Sequence, residues 1–210
     1  MSDPHETVRI SSLLASRLCH DLVNPVGALN TGLEVFNEET DPEMREHAIR
    51  LIQESTTKTI ALLSFARFAF GSSGAFEGEL DMFEARKLAL SLFEHYKAEL
   101  KWELDVPMMP KFRARALLNM LLMAEKSVPR AGSTVTVSGD VNRVMISAEG
   151  PKIKYSDEVK ACLAGESTEL AAKETPAYLA YLLARSGGDS ISADFASEEN
   201  LIFTIAPAAS

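Results

Sequence analysis

The residue pattern predicts an α+β protein in two parts. An N-terminal antiparallel helical hairpin pairs with a second copy as a dimeric four-helix bundle, and a C-terminal α/β sandwich follows. Three observations predict this. Apolar residues recur at steps of three and four through most of the first 70 positions. A run of Gly71-Ser72-Ser73-Gly74 then breaks the pattern. Beyond it, helical and alternating segments succeed one another, as when helices pack on one face of a mainly antiparallel sheet. The domains are therefore 1–72 and 73–210, in keeping with a chain of 210 residues at about 150 residues per domain.

The first helix carries Leu14, Leu18, Leu22, Val26, Leu29, Leu33 and Phe36 on one face. Asn37-Glu38-Glu39-Thr40-Asp41-Pro42 stops it, and Asp41 and Pro42 suit the N-cap and first turn of the next helix. That helix spans Glu43 to Phe70, with Met44, Ala48, Leu51, Ser55, Leu62 and Phe65 near one face. A short loop between long helices makes an antiparallel hairpin. Ile49, Ile52, Ile60 and Leu63 lie off that face. Two helices cannot cover apolar surface on both sides of their own pair, so residues of about 8–70 are expected to form a homodimer.

In the second part, Asp81 to Glu99 reads as a helix and Lys101 to Val106 as a strand ended by Pro107. Phe112 to Ser127 is a strongly apolar helix. Thr134–Ser138 and Arg143–Ala148 form a hairpin around Gly139-Asp140-Val141-Asn142. A helix from Pro176 to Ser186 ends in Gly187-Gly188, and strands Ser190–Phe195 and Leu201–Ile205 close the chain.

Composition narrows the function classes. Lys plus Arg is 21 and Asp plus Glu is 30, a net charge of −9. That balance argues against nucleic acid, which wants a basic face. No stretch approaches the roughly 18 apolar residues of a membrane span, and the polar, acidic start is not a secretory signal. Cys19 and Cys162 show no partnering pattern and read as free thiols of a reducing cytoplasm. No metal-ligand spacing is present, so neither a metal nor a cofactor is expected on this chain.

Of four histidines, His5 falls in a frayed terminus, and His47 and His95 lie on helices without a polar constellation. His20 differs. At about 100° per residue, taking Leu18 as zero, His20 falls near 200°, Gly27 near 180°, Asn24 near 240° and Arg17 near 260°. Pro25 lies five residues after His20, removes a helical hydrogen bond and is expected to disturb the backbone there. Two readings stand. One is a solvated polar face with a tolerated proline. The other is an exposed imidazole that accepts a phosphoryl group: histidine titrates near neutrality, so its nucleophilic form is abundant. A nearby carboxylate would hold one ring nitrogen, and Arg17 would meet phosphate oxygens.

His20-Asp21-Leu22-Val23-Asn24-Pro25-Val26 resembles the H-box of sensor histidine kinases, His-Glu/Asp-hydrophobic-x-Thr/Asn-Pro-hydrophobic. The resemblance implies that His20 is phosphorylated, that Asp21 is the assisting acid and that Asn24 stands where these proteins place a water-directing residue. The second part is similar to the kinase ATPase domain, of Bergerat type, in its order of elements. Leu117–Ala124 resembles the N-box, with Met123 where kinases carry the Mg²⁺-binding Asn. Ala148-Glu149-Gly150-Pro151-Lys152 resembles the first glycine box, with Ala148 in place of the adenine-reading Asp and Lys152 in place of a glycine. Lys173-Glu174-Thr175-Pro176-Ala177 stands where a glycine-rich phosphate loop is expected, while Gly187-Gly188 survives. Glycines let backbone N–H groups approach phosphates, and Mg²⁺ wants oxygen ligands that methionine lacks.

A phosphoacceptor hairpin on a nucleotide-blind kinase-like domain resembles the ChpT-type histidine phosphotransferases of alphaproteobacterial phosphorelays, over about residues 8–207. The resemblance implies a cytoplasmic homodimer. It would relay phosphate from the receiver domain of a hybrid histidine kinase to receivers of response regulators such as the cell-cycle regulator CtrA and the adaptor CpdR. Mg²⁺ would sit on the receiver. Apolar neighbours such as Leu13 and Val23 would contribute to docking. An ATP-dependent kinase fragment and a non-enzymatic dimeric adaptor are the alternatives.

Overall fold

The computed structural model describes residues 4–71, 78–167 and 170–208. Ser72, Ser73 and Gly74 of the expected linker lie outside the described residues. The chain divides into two compact units, Met1–Ala66 and Arg67–Ser210.

The first unit is the hairpin. Helix α1 runs Pro4–Glu38 and α2 begins at Pro42 and continues to Phe70. Asp41 caps α2, its Oδ1 accepting from the Glu43 amide at 3.1 Å. Arg45 closes the turn: it donates to the Phe36 carbonyl at 2.7 Å and lies over the Phe36 ring. Among the described residues of α1 the buried positions are Arg17, Pro25 and Gly32, and those of α2 include Ala48, Ser55 and Leu62. These steps of seven and eight mark the inner seam of the hairpin. The seam is tight at Gly32, where a Cβ would lie 2.8 Å from Ile52 Cγ1 and 3.2 Å from the Ala48 carbonyl oxygen.

Two expectations for the hairpin are corrected here. The helix is not interrupted at Pro25; α1 is continuous through it, and it takes in His5 as well. A buried proline loses only the hydrogen bond to the Asp21 carbonyl four residues back, and packing of the remaining helix outweighs that loss. The inner face is also rotated from the one centred on Leu18. It passes through Arg17, while Val26 and Leu33 remain exposed with Ile49, Ile60 and Leu63.

The second unit has a five-stranded sheet of order β2-β4-β5-β7-β6. Its strands are β2 (Glu99–Trp102), β4 (Thr134–Gly139), β5 (Val144–Glu149), β6 (Asp189–Ser197) and β7 (Asn200–Pro207). The β2–β4 pair is parallel and the rest are antiparallel. Val135 and Val137, Val144, Ile146 and Ala148, and Leu201, Phe203 and Ile205 are buried, whereas alternate residues are only half-buried. One face therefore carries the helical layer. That layer contains α3 (Met82–Phe93), α4 (Lys111–Ser127), α5 (Asp157–Ala164) and α6 (Thr175–Ser186). Fourteen of the seventeen residues of α4 are buried, which makes it the central helix.

Boundaries moved where local pattern was weak. The helix expected over Asp81–Glu99 ends at Phe93, because Glu99 is needed in the sheet, where its amide donates to the Ser133 carbonyl. The strand expected over Lys101–Val106 is accordingly Glu99–Trp102. The short strands β1 (Glu79–Asp81) and β3 (Met108–Pro110), which pair antiparallel, and helix α5 were not anticipated. Their length is too short for periodicity to register.

Candidate functional site

The imidazole of His20 projects from the middle of α1 with its side chain 77% exposed. Its neighbour Asp21 is 29% exposed and Arg17 only 10%. Arg17 Nε donates to Asp21 Oδ2 at 2.7 Å, and Asp21 Oδ1 stands 3.5 Å from His20 Nδ1. A line of charge thus rises from the hairpin interior to the surface and ends at one ring nitrogen. Pro25 leaves the Asp21 carbonyl without its helical N–H, so the backbone beside His20 is relieved of one ladder bond.

Asn24 and Gly27 are exposed, as the angular reading expected, and a Cβ on Gly27 would meet nothing within 4 Å. Val23 is exposed beside them and Leu13 is half-buried. Arg17 departs from that reading. It does not share the outer face with His20; it lies on the inner seam. Its aliphatic stem suits an apolar surface and its head is held by Asp21 four residues along the helix. The i,i+4 spacing of Arg17 and Asp21 was a signal in the sequence for their ion pair, though not for the inward position of Arg17. An arrangement of this kind can accept a phosphoryl group: an accessible ring nitrogen, Nε2, and a carboxylate against the other nitrogen.

In the second unit, Met123 and Ala148 are both buried. Neither side chain carries an oxygen that could ligate Mg²⁺. Lys152 is exposed. The segment around Lys173 and Glu174 leads into α6, with Pro176 in its first turn and Lys173 Nζ 3.1 Å from Glu174 Oε1. Gly187 has a packing role: a Cβ there would fall 1.8 Å from Phe112 Cε2. It serves the close approach of the end of α6 to Phe112, which is reason enough for a glycine to stand there. Two charged residues gave no sequence signal. Arg113 donates to Asp189 with two nitrogens, Nε to Oδ2 at 2.6 Å and Nη2 to Oδ1, and gives Nη1 to the Val141 carbonyl. These groups are buried and 76 positions apart in sequence, so only the fold pairs them.

Comparison with known proteins decides the family. Residues 82–199 match the family model of the histidine phosphotransferase C-terminal domain. The protein phosphotransferase ChpT of Brucella abortus (strain 2308) is 34% identical over 200 residues, covering 93% of this chain and 94% of that protein. The chain belongs to the ChpT-type histidine phosphotransferases. A 1.7 Å structure of a bacterial phosphotransferase superposes with a TM-score of 0.83 at 31% identity, covering 98% of each chain. Membership in the ChpT-type family makes the protein a phosphotransferase. Among the described residues, no helix is long and apolar enough to cross a membrane.

Proposed function

We propose that the protein is a cytoplasmic, dimeric phosphorelay intermediate that carries the phosphoryl group on His20. The observation that carries this reading is the exposed His20 imidazole with Asp21 3.5 Å from its Nδ1. The His20 Nε2 lone pair attacks an aspartyl phosphate on the receiver of a hybrid kinase. The N–P bond forms as the P–O bond breaks, and the receiver carboxylate leaves with the electron pair. A second receiver aspartate then reverses the sequence, on response regulators of the CtrA and CpdR kind. The transition state is loose, so the protein mainly positions groups and stabilises charge. Mg²⁺ belongs to the receiver, and ATP is not used, a reading supported by Met123 and Ala148 in place of an Mg²⁺ ligand and an adenine-reading acid. Asp21 faces the ring, and Asn24 stands one turn along on the same exposed side. The exposed Val26, Leu33, Ile49, Ile60 and Leu63 support assembly of two hairpins into a four-helix bundle.

Labelled ATP alone, and then a labelled phosphorylated receiver, tests the reading. Label is expected on His20 from the receiver only. Label from ATP alone would make the protein a kinase, and no label from either would leave a non-enzymatic adaptor.

A further inference from the structure

We propose that Arg17 is a positioning residue that acts on His20 through Asp21 and does not contact the phosphoryl group. The inference rests on His20 being the acceptor. Exposure rises along the line, 10% at Arg17, 29% at Asp21 and 77% at His20. The guanidinium therefore lies at the inner end of the line and the reacting nitrogen at the outer end. Arg17 Nε holds Oδ2 of Asp21 at 2.7 Å, and the remaining oxygen, Oδ1, is the one that stands by His20 Nδ1.

A short aspartate side chain has two torsions. With one oxygen fixed by a charge-assisted hydrogen bond, the other has little freedom in direction. Oδ1, 3.5 Å from Nδ1, then favours the proton on that nitrogen, so the lone pair is kept on Nε2. When Nε2 forms its bond to phosphorus the ring becomes cationic with its proton still on Nδ1, and the same carboxylate faces that charge. A direct contact from Arg17 to the phosphate would require the guanidinium to leave its buried position beside that carboxylate. Drawing a buried guanidinium away from a part-buried carboxylate is costly, so the pair persists and the effect of Arg17 is routed through Asp21.

The test is a double-mutant cycle on single-turnover phosphoryl acceptance from a phosphorylated receiver, using the full-length protein. The variants are Arg17→Met, Asp21→Asn and the double substitution. Each single change is expected to lower the maximal rate about ten- to hundredfold, as misplacement of a reacting group does, with the half-saturating receiver concentration unchanged. The double variant should be no slower than Asp21→Asn alone, the mark of two residues acting as one. ¹⁵N spectra of the His20 ring should show the Nδ1–H tautomer in the parent protein and its loss in both single variants. Losses that multiply in the double variant, an Asp21→Asn protein with full rate, or an Arg17→Met effect confined to half-saturation would overturn the proposal. If Arg17→Met loses helical content, Arg17→Gln, which also removes the charge, is carried through the same cycle with the same expected and overturning outcomes. His20→Gln is the separate control: acceptance retained there would remove His20 as acceptor, whatever the cycle shows.

Discussion

His20 stands clear of its own hairpin, so truncating it opens no cavity. His20→Ala should change stability by less than about 0.5 kcal/mol, as exposed substitutions do, while abolishing receiver-dependent labelling. Denaturant unfolding and labelling on the same preparation check both halves. The two cysteines should separate as sharply. Cys19 is exposed and Cys162 buried, and burial pushes the Cys162 thiol above its ordinary range. Only the thiolate reacts, so at neutral pH a thiol reagent should leave Cys162 unmodified until denaturant is added, as mass spectrometry would show. At this scale the exposure of His20, Asn24 and Gly27 was legible from the helical angle alone. The position of Arg17 was not, because the angle places a residue relative to a stripe but does not say where the stripe is centred. That centre depends on the partner helix.

The hairpin seam turns on Gly32. A glycine-to-alanine change gains roughly 0.5–1 kcal/mol of helix propensity, but a side chain here meets the backbone oxygen of Ala48 at 3.2 Å. Gly32→Val adds branching as well as volume, so overpacking prevails and about 1–3 kcal/mol of stability should be lost, measurable by thermal unfolding. The β4–β5 turn makes a pH prediction. Asp140 Oδ1 accepts from the Asn142 and Arg143 amides at 2.7 and 3.0 Å, and these bonds hold its carboxyl below the ordinary 3.8. A carboxyl lowered by folding contributes stability that is complete above its unfolded value and lost as pH falls through the folded one. Asp140→Ala should therefore flatten part of the acid side of the melting-temperature profile and leave its neutral slope unchanged. Among the elements, the Asp41 cap, α4 and the β4–β5 hairpin were legible because each announces itself in its own residues. Three-residue strands and an eight-residue helix are too short to do so, and the end of α3 was set by the demand of β2 for a partner.

For the whole molecule, the buried Arg113–Asp189 pair joins the first turn of α4 to the start of β6. Asp189→Ala would leave a buried guanidinium without its carboxylate and should cost about 3–5 kcal/mol, whereas Arg113→Met with Asp189→Leu should recover most of that. Denaturant titration of the three variants checks it. The hairpin should in turn make the protein a dimer, since apolar residues remain exposed on it; sedimentation should give twice the chain mass, and a monomer at all concentrations would refute the bundle. By itself the sequence determined the two-part α+β organisation, the hairpin and the exposed histidine with its acid neighbour. These follow from spacing along a helix or strand, and such spacing is a local quantity. Only the tertiary structure decided the strand order β2-β4-β5-β7-β6, the one parallel pair within it, the joining of Arg113 to Asp189 and the inward turn of Arg17. Each of these depends on which distant surfaces bury one another, and that free energy is shared between segments, so neither segment carries it alone.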